Sequence, residues 1–317
     1  MPPSTPASPT ADGAPPVAAA VAAPRRPVTP AAEAWRRFRK HRLAVWSAVV
    51  LALMVLAIAF GELLWPVPIN EIDFTAKLKG PSLKHPFGTD DLGQDLLARI
   101  LYGGKISLAV GLAAMVVAVF VGVLVGAVSG MAGGRVDAFL MWLTDLFLTL
   151  PTLPLLLLVM YLFRDPVKAV FGPEAGALIL IVSVVGGLRW MPVARLVRAQ
   201  FLSLREKEFV EAARALGASR TRLVMQHILP NVAGPVIVAA SIDVAAAILA
   251  ESTLSFLGLG FPSDIPTWGS MLRDAKDYLD IAPHWALFPG TMIFLAVLTI
   301  NYIGDGLRDA LDPRRVI

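Results

Sequence analysis

Apolar residues in this chain fall in long, nearly unbroken runs, and the polar residues between them collect in short connecting segments. Crossing about 30 Å of hydrocarbon takes roughly 20 apolar residues at about 1.5 Å of rise each, so runs of this length predict spanning helices. Five stand out: Leu43 to Leu64, Ile106 to about Gly130, Ala138 to Phe163, Asn231 to Ala250 and Trp285 to Gly304. A sixth, Ala175 to Leu188, is short, and it spans only if Arg189 snorkels and the helix continues past Trp190 toward Ala194. The pattern predicts an all-α integral membrane protein with six transmembrane helices.

Lysine and arginine placement orients the runs, because cytoplasmic segments carry the excess. With the N-terminus inside, the cytoplasmic side holds 19: seven before the first run, Arg135, eight from Arg189 to Arg222 and three after the sixth. The outside segments hold 9. Dropping the short run would place Arg189 to Arg222 outside and reverse the bias, so the charge pattern supports keeping it. Both termini are then cytoplasmic. The outer segments, Trp65 to Lys105 and Phe256 to His284, are too short to be domains and are expected to cap the mouth of the bundle.

Composition agrees: 56% of residues are hydrophobic, 16% are charged, and the mean hydropathy is +0.67. The chain has no cysteine, and His41, His85, His227 and His284 are widely separated, so neither a disulfide framework nor a local metal motif is expected. The net charge of +4 comes from basic residues beside apolar runs, a membrane pattern rather than a nucleic-acid one. Residues 1–34, rich in Pro, Ala, Ser and Thr, read as a disordered cytoplasmic tail without a signal-peptide h-region. Residues 35–103 form an N-terminal segment with the first spanning helix and an outer loop, and residues 104–317 form the main transmembrane domain.

Polar residues inside the runs are few: Asp145, Asp243 and, near a helix end, Glu251. At a lipid-exposed helix centre each would cost about 2.5 to 3.5 kcal/mol, so each should face protein or a water-filled path. Two roles fit, lining of a translocation route or an interhelical hydrogen bond. Pro151 and Pro154 interrupt the third run and Pro289 lies early in the last, which predicts kinks. Gly122 and Gly126 give a G-x-x-x-G spacing suited to close helix packing.

The loop within residues 195–230 carries the most specific signal. Ser203 and Glu206 fit a capping box. In the helix that follows, Phe209, Ala212, Ala213 and Leu216 share a face, Glu208, Glu211 and Arg214 point elsewhere, and Gly217 supplies a stop. A second helix is expected to start at Ser219 and end before Pro230. The result is a helix-turn-helix knuckle whose small tip, Ala212-Ala213, suits close approach by another protein. Spacing alone equally allows an amphipathic interfacial helix.

Glu211-Ala212-Ala213, then Gly217, then Leu229-Pro230 resemble the EAA signature of binding-protein-dependent ABC importer permeases. The sequences His85 to Asp95, Glu251 to Gly260, Pro266-Thr267-Trp268-Gly269 and Gly304 to Pro313 are similar to the second permease of dipeptide, oligopeptide and nickel transporters. His227 stands where that signature usually has an apolar residue. The resemblance implies a type I ABC importer permease fold in a bacterial inner membrane. It also implies a heterodimer with a second, homologous permease, two cytoplasmic ATPases that use ATP and Mg, and an extracytoplasmic solute-binding protein that carries most of the selectivity. Glu211, Ala212, Ala213, Gly217, Leu229 and Pro230 become the expected ATPase-coupling residues. The chain has no G-x-x-x-x-G-K-[ST], so no phosphate cradle, catalytic residue or cofactor is expected in it. The alternatives are a nickel or other small-solute ABC permease, or an ion-gradient-driven transporter, for which Asp145 and Asp243 would be the ion ligands.

Overall fold

The computed structural model describes residues 30–311; most of the expected tail, and the Asp312-Pro313 end of the closing motif, lie outside the described residues. Among the described residues all regular structure is helical, apart from an isolated bridge between Thr89 and Asp95. A short amphipathic helix, α1 (Pro30–Phe38), leads to α2 (Arg42–Leu64), whose first turn is capped by the His41 ring accepting from the Ala44 amide at 3.1 Å. The remaining helices are α3 (Leu96–Ala132), α4 (Gly134–Thr149), α5 (Thr152–Phe171), α6 (Pro173–Gly187), α7 (Trp190–Leu204), α8 (Glu208–Ala215), α9 (Arg220–Arg222), α10 (Leu229–Phe256), α11 (Trp268–Ala275) and α12 (Pro283–Leu311). Four helices are long and apolar enough to span a membrane, and up to six spans result if each bent pair counts as one.

The bent pairs correct two expectations. The third run is no kinked helix: α4 and α5 meet at 90°. The residue before a proline is pushed out of the helical region, and Leu150 is extended at φ −72°, ψ 134° ahead of Pro151. The short run becomes α6 and α7, bent by 42°. Arg189 does not snorkel; it sits at that break and pairs with Asp243 at 2.6 Å. The second span also starts earlier than expected, at Leu96, because the Asp95 carboxylate caps it by accepting from the Ala98 amide at 2.8 Å.

Asp95 organises the outer segment as well. It accepts from Trp65 Nε1 at 3.1 Å, and its other oxygen lies 2.9 Å from His85 Nδ1. Beside it, Asp90 accepts from the Leu92 and Gln94 amides, and the buried Arg99 guanidinium lies 3.8 Å away and donates to the Ile69 carbonyl. Burial pushes the Asp90 carboxyl above its ordinary range, with the Gln94 amide and Arg99 pulling the other way. The His85 to Asp95 sequence thus folds into a polar knot at the head of α3.

The core of the bundle is α3 against α7. Lipid tails give helices no hydrophobic reason to associate, so close backbone approach carries the contact. Gly122, Gly126 and Gly130 lie four residues apart on α3, against Val193, Ala194 with Val197, and Phe201. A Cβ at Gly126 would stand 2.5 Å from the Ala194 carbonyl oxygen, and one at Gly130 would stand 2.5 Å from Phe201 Cβ. The G-x-x-x-G pair read from the sequence is therefore a packing device, extended by one further glycine.

This contact makes a prediction. Gly126→Leu should cost about 1–3 kcal/mol by overpacking and lower the unfolding temperature in detergent, whereas Gly187→Ala, where a Cβ meets nothing within 4 Å, should leave it unchanged. A thermal-shift assay on the purified chain distinguishes the two.

Candidate functional site

The knuckle expected between residues 195 and 230 is present, with a different internal construction. Ser203 lies inside α7, and α8 starts only at Glu208, with Lys207 at its N-cap and no side-chain cap bond. The expected capping box is therefore absent. The chain is held in helix α7 by the buried Phe201 and by Arg205, which donates to the Gly130 carbonyl at 3.3 Å.

The residue that anchors α8 lies outside the face shared by Phe209, Ala212, Ala213 and Leu216. Val210, fully buried, is the anchor of α8; it packs with Val193, Val197 and Phe201 of α7 and with Leu223, Ile228 and Val232 beyond. Phe209 and Leu216, two of the four residues expected to share a face, stay exposed, at 44% and 90%. Ala213 is half-buried against the same cluster, while Glu211 and Ala212 are exposed. Val210, adjacent to Phe209 and three residues before Ala213, is not among the residues expected to share a face.

Gly217 ends α8 as expected. Its φ of +84° lets the Ala218 amide return to the Ala213 carbonyl and its own amide to that of Arg214, both at 3.0 Å. No atom lies within 4 Å of a Cβ built there, so the need for glycine is conformational rather than steric. Ser219 then caps α9, accepting from the Arg222 amide at 3.3 Å.

The second helix does not stop before Pro230. From Arg220 it continues through a π-helical stretch, Leu223–Ile228, into α10, so that Arg220–Phe256 is one helix of 37 residues. Proline lacks the N–H that an α-turn needs; the wider turn absorbs that loss, with the Leu229 amide reaching back to Val224 and the Asn231 side chain donating to the His227 carbonyl at 2.6 Å. Leu229 and Pro230 therefore form the joint between knuckle and span. Between α8, α9 and the end of α7 lies a polar cleft of about 540 Å³, lined by Arg205, Glu206, Glu211, Arg214 and Arg220 among others.

The polar positions of the apolar runs lie apart from the knuckle. Asp145, expected to face protein or a water-filled path, is exposed and pairs with the equally exposed Arg195 on the neighbouring α7. Asp243 pairs with Arg189. Glu251 is fully buried and is held by hydroxyls: Ser255 at 2.7 Å, Ser107 of α3 at 3.1 Å and Ser252 at 3.4 Å. Ser107 in turn accepts from the Trp268 amide at 3.4 Å, which ties α3, α10 and α11 together. Asp145 and Asp243 are thus each neutralised by an arginine. One strong pair had no counterpart in the sequence reading: Arg198 grips both oxygens of Asp137 at 2.5 and 2.6 Å. Among the described residues no group of three or more His, Cys, Asp or Glu side chains could hold a metal ion.

Comparison with known proteins places the chain among membrane components of transport systems. Residues 118–317 match the family model described as binding-protein-dependent transport system inner membrane component, and residues 29–81 match the N-terminal TM domain of oligopeptide transport permease C. The chain is 42% identical to the oligopeptide transport system permease protein OppC of Escherichia coli K12, covering 89% of this chain and 90% of that protein. It is 37% identical to the dipeptide transport system permease protein DppC of Alkalihalophilus pseudofirmus, with coverage of 90% and 91%. It is 42% identical to the glutathione transport system permease protein GsiD of Salmonella typhimurium, again over 90% and 91%. Among solved structures, the inward-facing MetNI methionine ABC transporter matches with a TM-score of 0.54 at 17% identity, covering 68% of this chain and 98% of that one.

The anchoring of α8 is directly testable. Burying a valine contributes about 1.5–3 kcal/mol, so Val210→Asp should free α8 and raise its cleavage by trypsin at Lys207 and Arg214 about tenfold or more. Limited proteolysis followed by mass spectrometry of the fragments reads this, and the spanning helices should remain uncut.

Proposed function

Because this chain belongs to the binding-protein-dependent transport system inner membrane component family, we propose that it forms half of the translocation pathway of an ATP-driven importer of di- or oligopeptides and receives the power stroke at α8. It is a membrane-embedded permease subunit of an ABC importer with the type I fold. The peptide reading is supported by relatives named as oligopeptide and dipeptide permeases across nine-tenths of the chain. The partners are a second, homologous permease forming a heterodimer, two cytoplasmic ATPases that bind ATP and Mg, and an extracytoplasmic binding protein that delivers the solute. Both termini and the α8 knuckle lie on the cytoplasmic side of a bacterial inner membrane, in keeping with the lysine and arginine placement.

The observation that carries this reading is the two-sided character of α8. Its buried side is locked to α7 and α10 through Val210, its outer side offers Phe209 and Leu216, and Glu211 and Arg214 line the polar cleft alongside. An exposed apolar surface with a charged rim on an otherwise tethered helix fits docking into a partner's cleft. Ala212 and Ala213 let that cleft approach the backbone, Glu211 orients it, and Gly217 closes the turn. Leu229 and Pro230 pass the displacement into α10, because α9, the π stretch and α10 are one continuous helix. ATPase closure then rocks the permease halves and exposes the pathway to each side in turn.

Ala212→Trp and Gly217→Trp should each lower peptide uptake by the reconstituted transporter about tenfold or more, while membrane insertion and basal ATP hydrolysis persist. Uptake at the wild-type rate by Gly217→Trp would count against the coupling role.

A further inference from the structure

The bends in the broken spans come together on a cavity. A space of about 170 Å³ is lined by Thr152 and Leu153 at the start of α5, Leu188 and Arg189 at the break into α7, and Ala250 and Thr253 of α10. The rest of its wall is aliphatic, and Arg189 is the one charged side chain lining it among the described residues. We infer that this cavity is a subsite of the translocation pathway in which the Arg189 guanidinium receives the terminal carboxylate of a passing peptide. The inference rests on the peptide reading above.

The way Arg189 is bonded supports this. Its Nε donates to Asp243 Oδ1 at 2.6 Å, and no other hydrogen bond from the guanidinium is made among the described residues. The fork-shaped pair of terminal nitrogens, the part of arginine that matches a carboxylate, is left unused. Arg198 provides the internal contrast: it applies both Nε and Nη2 to the two oxygens of Asp137 and is saturated as a structural pair. The Arg189 side chain is 28% exposed and its partner only 9%, so the contact fixes the guanidinium from the buried side and leaves the other edge toward open space. Asp243 Oδ2 is itself buried without a hydrogen-bond partner, so this pair, unlike the Arg198 pair, is incomplete at both ends.

The backbone adds to the same field. The N-termini of α5 and α7 both border the cavity, and neither N-cap residue, Pro151 or Arg189, makes a side-chain cap bond. Uncapped amides at the start of a half-helix carry partial positive charge, and broken spans are where transporters place such ends. The site lies within the bundle: a Cβ at Gly122 of α3 would touch the Trp190 carbonyl, roughly 15 Å from the α8 end of α3. Asp243 neutralises the arginine, which makes a half-buried guanidinium tolerable and keeps the hold on a carboxylate weak enough for release.

Removing Arg189 alone would strand a buried Asp243, so the test uses the neutral pair Arg189→Gln with Asp243→Asn, and Arg189→Lys beside it. The complete transporter, with its second permease, ATPases and binding protein, is reconstituted in liposomes. It is given a mixture of di- to pentapeptides as free acids and as C-terminal amides, and lumenal uptake is read by mass spectrometry. The neutral pair should lower free-acid uptake about tenfold and change amide uptake by less than about twofold, with binding-protein-stimulated ATP hydrolysis intact, and Arg189→Lys, which keeps the charge but loses the fork, should recover free-acid uptake only in part. Equal loss of acids and amides, or loss of neither, overturns the subsite and leaves the peptide reading standing. If only free acids are delivered, failure of Arg189→Lys to recover uptake overturns it. If the wild-type complex takes up no peptide, the peptide reading falls and the subsite with it.

Discussion

The close approach of α3 to α7 is the contact on which the rest of this molecule depends. In a medium where burying apolar surface gains little, two helices stay together by bringing their backbones near, and Gly122, Gly126 and Gly130 make room for Val193, Val197 and Phe201 to do so. That contact fixes the line of α7. From one end of α7 hangs α8, held by Phe201 and Val210 in a shared cluster, and at its other end the chain breaks at Arg189. The proposed docking surface and the proposed pathway are therefore opposite ends of one helix.

A second constraint follows from the same medium: charge on the spanning helices has to be answered by a partner in the protein. Arg195, Arg198 and Arg189 follow one another along α7 and its N-cap, and they meet Asp145 and Asp137 of α4 and Asp243 of α10. The α4–α7 pairs reinforce the packing, since Asp137 also accepts from Ser129 of α3. Glu251 is treated differently: with hydroxyls rather than an arginine around it, its position is set by Ser107 and Ser255, and it serves as the knot joining α3, α10 and α11. The carboxylates thus sort by partner into structural clamps, a hydroxyl-bound knot and the half-used pair at the cavity.

What the sequence made legible was whatever depends on long apolar runs and on short-range backbone chemistry. The four unbroken spanning helices, the glycine pair on α3, the stop at Gly217 and the cap at Ser219 were all readable, because each is written in neighbouring residues. Two kinds of feature were hidden. The first is tertiary choice: Phe209 and Val210 are adjacent and both apolar, and only the positions of α7 and α10 decide that the smaller one is buried. The second is geometry at prolines. Pro151 and Pro230 carry the same local warning, yet Pro151 accompanies a 90° turn because Leu150 is extended, whereas Pro230 stays inside a continuous helix because a π stretch takes up its missing donor. Arg189, expected to reach for the membrane surface, stays within the bundle for a reason 54 positions away, at Asp243.

The central claim is mechanical: α8 and α10 move as one body through the joint at Leu229 and Pro230, and that body moves against the α5 side of the pathway. The chain contains no cysteine, so each cysteine introduced into it is its only site for a spin label. In the assembled transporter, the distance between labels at Ala215 of α8 and Ile242 of α10 should stay within about 2 Å between the nucleotide-free and ATP-bound states, while the distance from Ile242 to Leu162 of α5 should change by several times as much. A shift in the first distance with the second held constant would mean that α8 flexes on its own, and it would contradict the account.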